Sequence, residues 1–135
     1  MNISYIVPTI GRPSLTVTLK SIELQPGDEI LVVGAVKEGK HGPVRYIPCE
    51  PGGDWGHSER NFATPLCRGQ YIAHIDDDDV YAPGTRAHME DAMRGAQGNP
   101  ILFRMRFPNG VTLWEEPVIR CGNIGTPCML IPNRP

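Results

Sequence analysis

The stretch QYIAHIDDDDVYAP, Gln70 to Pro83, sets the strongest limit on how this chain folds. Gln70 to Ile75 has the β-branched and aromatic content of a buried strand. Asp76, Asp77, Asp78 and Asp79 follow directly, so they belong where that strand leaves its sheet, and their charges repel one another there. If the extended geometry persists through Asp78, side chains alternate, which puts Asp76 and Asp78 on one face and Asp77 on the other. Two carboxylates sharing a side form an oxygen-only donor set. Such a set suits a hard divalent cation, Mn²⁺ or Mg²⁺, that takes its remaining ligands from water and substrate phosphates. A solvated acidic turn before a helix gains about 0.3–1 kcal/mol per carboxylate; one or two Asp would meet that need, and four exceed it. A helix-loop-helix calcium site fits badly, because Val80 stands in the third ligand slot and Tyr81 in place of the Gly.

At 135 residues the chain is read as one domain, 1–135, with room for a real core. A formal charge of −2 leaves no footprint for nucleic acid or an anionic membrane, so any basic site is local. There is no charged leader and no apolar stretch near the roughly 20 residues of a membrane span, and a cytoplasmic location is expected. Cys49, Cys67, Cys121 and Cys128 lie far apart without a C-x-x-C pair, which predicts reduced thiols rather than a zinc site or disulfides.

Along the chain, Ile3 to Val7, closed by Pro8, reads as a strand buried on both faces of a parallel sheet. Thr9 to Arg12 form a turn, Pro13 takes the first helical position, and Leu15, Leu19 and Ile22 make the core stripe of a helix. Glu29 to Val36 is a second strand; Gly34 within it marks either a bulge or a place where a ligand nears the backbone. Lys37 to Pro43 reads as a surface loop and Val44 to Ile47 as a third strand. Pro51 to His57 is a Gly-rich loop whose Trp55 either closes over a ligand or packs the loop down. Ser58 offers an N-cap for a helix from Glu59 to Cys67. Arg60, in its first turn, opposes the helix dipole and is better placed to hold an anion. Thr85 to Arg94 is a helix stopped at Gly95, with His88 on its exposed side. Ile101 to Phe107 alternates cleanly, with Leu102, Arg104 and Arg106 on a wet or ligand-facing side. Pro108-Asn109-Gly110 turns a hairpin back through Trp114, and Cys128 to Ile131 is the last strand. Glu115 and Glu116, beside Trp114, are candidates for a general base.

Strand-helix-strand units leading to a carboxylate cluster at a strand's end describe an open α/β sheet with its ligand at the strand ends. The segments IVPTIGRPSLTVTLKSI, EILVV and SERNFATPLCRGQYIAHIDDDDVYAPG, in that order, resemble the family-two glycosyltransferases of the GT-A fold over roughly residues 3 to 85. The resemblance implies a single-domain, Rossmann-like GT-A sheet, mostly parallel, with helices on both faces and a C-terminal hairpin. It implies transfer of a sugar from a nucleotide-diphosphate donor, a UDP- or GDP-sugar, to an acceptor. By matching position it assigns Pro8, Thr9 and Arg12 to the nucleotide, Arg60 and Asn61 to the Arg-Asn pair, and Asp76, Asp77 and Asp78 to the Asp-x-Asp motif. Asp78 is then the direct ligand of manganese or magnesium, and Asp76 lies near the ribose or the metal. The acidic residue that usually reads the base after the second strand is replaced here by Gly34-Ala35, and the acceptor side is reduced to Trp114, Glu115, Glu116 and the segment from Asn123 to Pro135. A partner subunit, including a second copy in a homo-oligomer, is one source of what is missing. The rival expectation is a non-catalytic nucleotide-sugar or metal-binding module; a nucleotidyltransferase is a third, weakened by a first turn whose only cation is Arg12.

Overall fold

The computed structural model describes residues 1–134, so the far end of the segment named above, Pro135, lies outside the described residues. A seven-stranded sheet runs in the order β3-β4-β2-β1-β5-β9-β6. Its strands are β1 (Ile3–Thr9), β2 (Glu29–Gly34), β3 (Gly39–His41), β4 (Val44–Pro48), β5 (Tyr71–His74), β6 (Ile101–Leu102) and β9 (Met129–Pro132). The central four, β4, β2, β1 and β5, are parallel. Both margins are antiparallel, β3 against β4 on one side and β9 between β5 and β6 on the other. The expected hairpin forms a separate two-stranded sheet of β7 (Met105–Arg106) and β8 (Thr112–Leu113), closed by a Phe107 to Val111 backbone bond of 2.8 Å.

Every residue of β1 is buried, as a run apolar at consecutive positions requires. Ile3, Tyr5 and Val7 point to the face covered by α1 (Leu15–Ser21) and α3 (Thr85–Ala96), where Ile22, Met89 and Met93 join them. Ile6, Leu31, Val33 and Ile72 point the other way, onto Ala63 of α2 (His57–Ala63). Each such side chain contributes about 1.5–3 kcal/mol on burial, which makes this two-sided sheet the source of the fold's stability. A buried ion pair ties the layers at one end: Arg86 Nε lies 2.7 Å from Asp28 Oδ2, while Asp28 Oδ1 accepts the Ile3 N–H at 2.8 Å.

Several predicted boundaries shift for physical reasons. Helix α1 starts at Leu15, because Pro13 and Ser14 form the preceding turn. Strand β2 stops at Gly34 (φ 133°), where a Cβ would collide with the Thr9 carbonyl. Part of the expected 37–43 loop is strand β3, which pairs along β4 without any apolar pattern of its own. Helix α2 is shorter than expected, its last turn tightening into a 3₁₀ turn at Thr64–Leu66 around Pro65. Helix α3 runs through Gly95 to Ala96 and ends at Gln97 in the left-handed region. The single strand expected over Ile101–Phe107 is broken. Phe103 still donates to the Cys128 carbonyl at 2.8 Å, but Thr126–Cys128 is a 3₁₀ turn, so the partner strand ends there. Among the described residues no helix is long and apolar enough to cross a membrane, and the four cysteines are free thiols.

Candidate functional site

The strand order reverses between β1 and β5: from β1 the chain steps outward to β2 and β4, then returns to add β5 on the opposite side. The carboxyl ends of those two strands therefore flank a crevice, the place where open α/β sheets hold ligands. The turn Thr9–Arg12 follows β1, and the acidic run follows β5.

The acidic run does not stay extended. Asp79 N–H donates to the Asp76 carbonyl at 3.1 Å, closing a tight turn. Asp77 is folded inward and accepts the Thr9 hydroxyl at 2.7 Å, while Thr9 Oγ1 accepts the Gly11 N–H at 3.0 Å. Asp76 and Asp78 share a side, as expected, and the turn brings Asp79 to join them: one carboxylate oxygen from each of the three lies within 4.8 Å of the others. Helix α1 and its N-cap residue Ser14 fasten this turn. Ser14 and Thr18 donate to the carbonyls of Asp77 and Asp79, each at 2.7 Å, and Ser21 accepts the Tyr81 N–H at 3.0 Å. These hydroxyls recur at i, i+4 and i+7, the polar counterpart of the Leu15-Leu19-Ile22 stripe.

Two arginines face the cluster. Arg12 Nη1 lies 2.8 Å from Asp78 Oδ2, and its Nε 3.8 Å from Asp77 Oδ1. Arg60, 6 % exposed, pairs with Asp76 Oδ1 through Nη2 and donates to the Trp55 carbonyl through Nη1 at 2.8 Å. Each arginine engages one oxygen of its carboxylate. Burial pushes Asp79 up to about 6, with the charges of Asp76 and Asp78 adding to the effect, and its Oδ2 is buried without a hydrogen-bond partner. Burial raises Asp76 as well, against the opposing pull of Arg60. His74, just inside the strand, is lowered to about 4 by burial and then by Arg60, so it is neutral at pH 7.

The loop is irregular over 51–56, His57 already opening α2, and Trp55 sits at φ 62° and is 91 % exposed, so it does not pack the loop down. Ser58 is not the helix cap. The Asp54 carboxylate accepts both the Ser58 N–H, at 3.1 Å, and its hydroxyl, at 2.6 Å, and these bonds hold Asp54 below the usual carboxylate range.

Of the sequence-predicted residues, the structure brings Thr9, Arg12, Arg60, Asp76, Asp77 and Asp78 together. Pro8 and Gly34 lie beneath them as packing: a Cβ at Gly56 would come within 2.9 Å of Pro8, and Gly34 abuts Thr9. Asn61 is on the exposed side of α2. Glu115 and Glu116 belong neither to that group nor to the lining of the neighbouring cavity. Trp114 (φ 56°) turns the chain out of β8, both glutamates are exposed, and neither carboxylate makes a hydrogen bond or ion pair among the described residues. The sequence places Asp79 in the acidic run but gives it no metal role, and it passes over Ser14, Thr18 and Asp54; the hydroxyl spacing from 14 to 21 was the available signal for two of them.

Beside the acidic turn opens a cavity of about 1080 Å³, lined by Asp78 and Asp79, by the start of α3 and by the β7-β8 hairpin. His88, exposed as expected, lines it, as does Trp114.

No protein-family model matches this sequence, and no curated protein does. Solved structures do match. The crystal structure of S. aureus TarS 1-349 superposes with a TM-score of 0.76 at 18 % identity, covering 98 % of this chain and 47 % of that one. The same TarS segment in complex with UDP gives 0.72 at 19 % identity over 98 % and 47 %. Its complex with UDP-GlcNAc gives 0.72 at 18 % over 98 % and 46 %. The chain thus spans about half the length of these structures. The fold is the GT-A arrangement that the motifs resemble, with its parallel centre and helices on both faces.

Proposed function

We propose that this chain binds a nucleotide-diphospho-sugar at the crevice between β1 and β5 and transfers the sugar to an acceptor in the adjoining cavity. The observation that carries the reading is the acidic turn at the switch point, with Asp76, Asp78 and Asp79 converging and Arg12 and Arg60 beside them. Neighbours of the same fold hold UDP and UDP-GlcNAc, which favours a UDP-sugar over a GDP-sugar. In the transfer, the bond from the sugar's anomeric carbon to the diphosphate breaks as the bond to the acceptor oxygen forms. The hydroxyl proton passes to a carboxylate or water, and the nucleoside diphosphate leaves.

The residues present fit a divalent cation, Mn²⁺ or Mg²⁺. Asp76 and Asp78 each keep an oxygen that no arginine uses, and Asp79 contributes a buried oxygen that lacks a partner. When bound there, such an ion stabilises the negative charge that gathers on the departing diphosphate. The chain's own residues do the remaining work: Arg12 and Arg60 hold the phosphates and the acidic turn in place, and the α1 hydroxyls fix the turn's backbone.

One observation favours the binder-only reading: neither Glu115 nor Glu116 lines the cavity, so neither is placed to deprotonate an acceptor. Titration calorimetry with UDP- and GDP-sugars, with and without Mn²⁺, separates the readings. Metal-dependent binding that disappears in Asp78→Asn supports both; sugar transfer or hydrolysis marks the enzyme, and binding without turnover marks the module. A chain that binds no nucleotide sugar in either condition refutes both.

A further inference from the structure

The cavity beside the acidic turn has one charged wall that the donor reading leaves unused. Arg104 and Arg106 both line it, two positions apart at the start of the hairpin, and both are exposed. Unlike Arg12, Arg60 and Arg86, neither makes an ion pair among the described residues. Arg104 is steadied only by a bond from Nη2 to the Glu115 carbonyl at 3.2 Å, which leaves its charge uncompensated. Asp78 and Asp79 line the same cavity, together with apolar side chains, Phe103, Met105 and Met129 among them. A molecule filling the cavity therefore meets carboxylates, guanidinium groups and apolar surface.

A donor diphosphate is already served by Arg12 and Arg60, which pair with the acidic turn and do not line this cavity. An acceptor needs a hydroxyl near the acidic turn, where the sugar is delivered, and a planar, fork-shaped guanidinium selects phosphate or carboxylate. We propose that this cavity takes an acceptor bearing an anionic group, phosphate or carboxylate, which Arg104 and Arg106 hold so that its hydroxyl faces Asp78 and Asp79. The assignment rests on the donor reading above and adds the chemical class of the second substrate. Trp114, which also lines the cavity, gives the body of such a molecule a flat apolar surface.

The test is two-dimensional NMR of the whole chain loaded with UDP, titrated with glycerol 3-phosphate and glucuronate and, in parallel, with their neutral counterparts glycerol and glucose. The expected result is a response at Arg104, Arg106, His88 and the Trp114 indole to one or both anions, and none to the neutral pair. Removing both cations in Arg104→Gln/Arg106→Gln should weaken the response about tenfold or more, and Arg→Lys at both should restore part of it. UDP affinity should stay unchanged, because both arginines lie outside the donor site. Equal response to charged and neutral compounds, response to neither anion, or undiminished binding by the glutamine variant overturns the proposal. Loss of UDP affinity in that variant also overturns it, because the arginines would then belong to the donor. Anion binding with no UDP binding in the native chain supports the anionic subsite and refutes the donor reading, so the two failures are distinguishable.

Discussion

Replacing Arg60 with Met keeps the buried stem of the side chain and removes its donors, so it isolates what the guanidinium contributes. Two bonds are lost, one to the Asp76 carboxylate and one to the Trp55 carbonyl. A hydrogen bond from a charged group contributes about 1.5–3 kcal/mol when desolvated. Asp76 is 39 % exposed, so water recovers much of the first loss, and the sum comes to about 2 kcal/mol. With an unfolding entropy of about 2.1 cal/mol/K per residue, that corresponds to a fall in Tm of about 7 °C for a chain of this length. Arg60→Lys keeps the charge but cannot reach both partners as a fork does, so it should fall between the two. Thermal unfolding followed by circular dichroism reads these shifts, and carboxyl NMR should show Asp76 titrating higher still once its cation is gone. A Tm within about 2 °C of the native value in Arg60→Met, with Asp76 unmoved, would refute the claim that this arginine joins the Trp55 loop to the acidic turn.

Other consequences are as direct. Arg86→Met strands Asp28 in the core and should cost about 3–5 kcal/mol, read from urea unfolding; a loss below about 1 kcal/mol would show that the pair is dispensable. His74 has a folded value of about 4 against 6.5 unfolded, so the unfolded chain takes up its proton first. Stability should therefore fall as pH drops from about 6.5 to about 4, by up to about 3 kcal/mol, and be flat in this respect above that window. The comparison of native and His74→Gln chains across pH isolates that slope, and parallel curves would refute it. If the chain transfers sugar, Glu115→Gln/Glu116→Gln should leave kcat unchanged, because both residues are exposed and neither lines the cavity; a large drop would reinstate one of them as the base.

Much of this architecture is legible in the chain itself. Runs such as ISYIV and QYIAHI announce strands buried on both faces, Pro108-Asn109-Gly110 announces the hairpin, and the Asp run announces where β5 leaves the sheet. Strand β3 was not legible, because Gly39-Lys40-His41 is held by pairing at the sheet margin rather than by burial. Nor was the break after Phe103, which depends on where a partner strand twenty-odd residues later ends. Within the site, alternation put Asp76 and Asp78 together, but the inward turn of Asp77 and the recruitment of Asp79 come from Thr9, Ser14 and Thr18. Those residues are about sixty positions away, beyond the reach of any local pattern. The placement of Trp55 depends likewise on Arg60 and a left-handed backbone.

The hydroxyl stripe of α1 has a bearing on protein engineering. Anyone transplanting the four-aspartate segment onto another scaffold, hoping to move its chemistry, would carry across the acids and leave behind the anchors that give them their shape. A faithful transplant would need the first helix as well, with Ser14, Thr18 and Ser21 in register beneath the recipient turn.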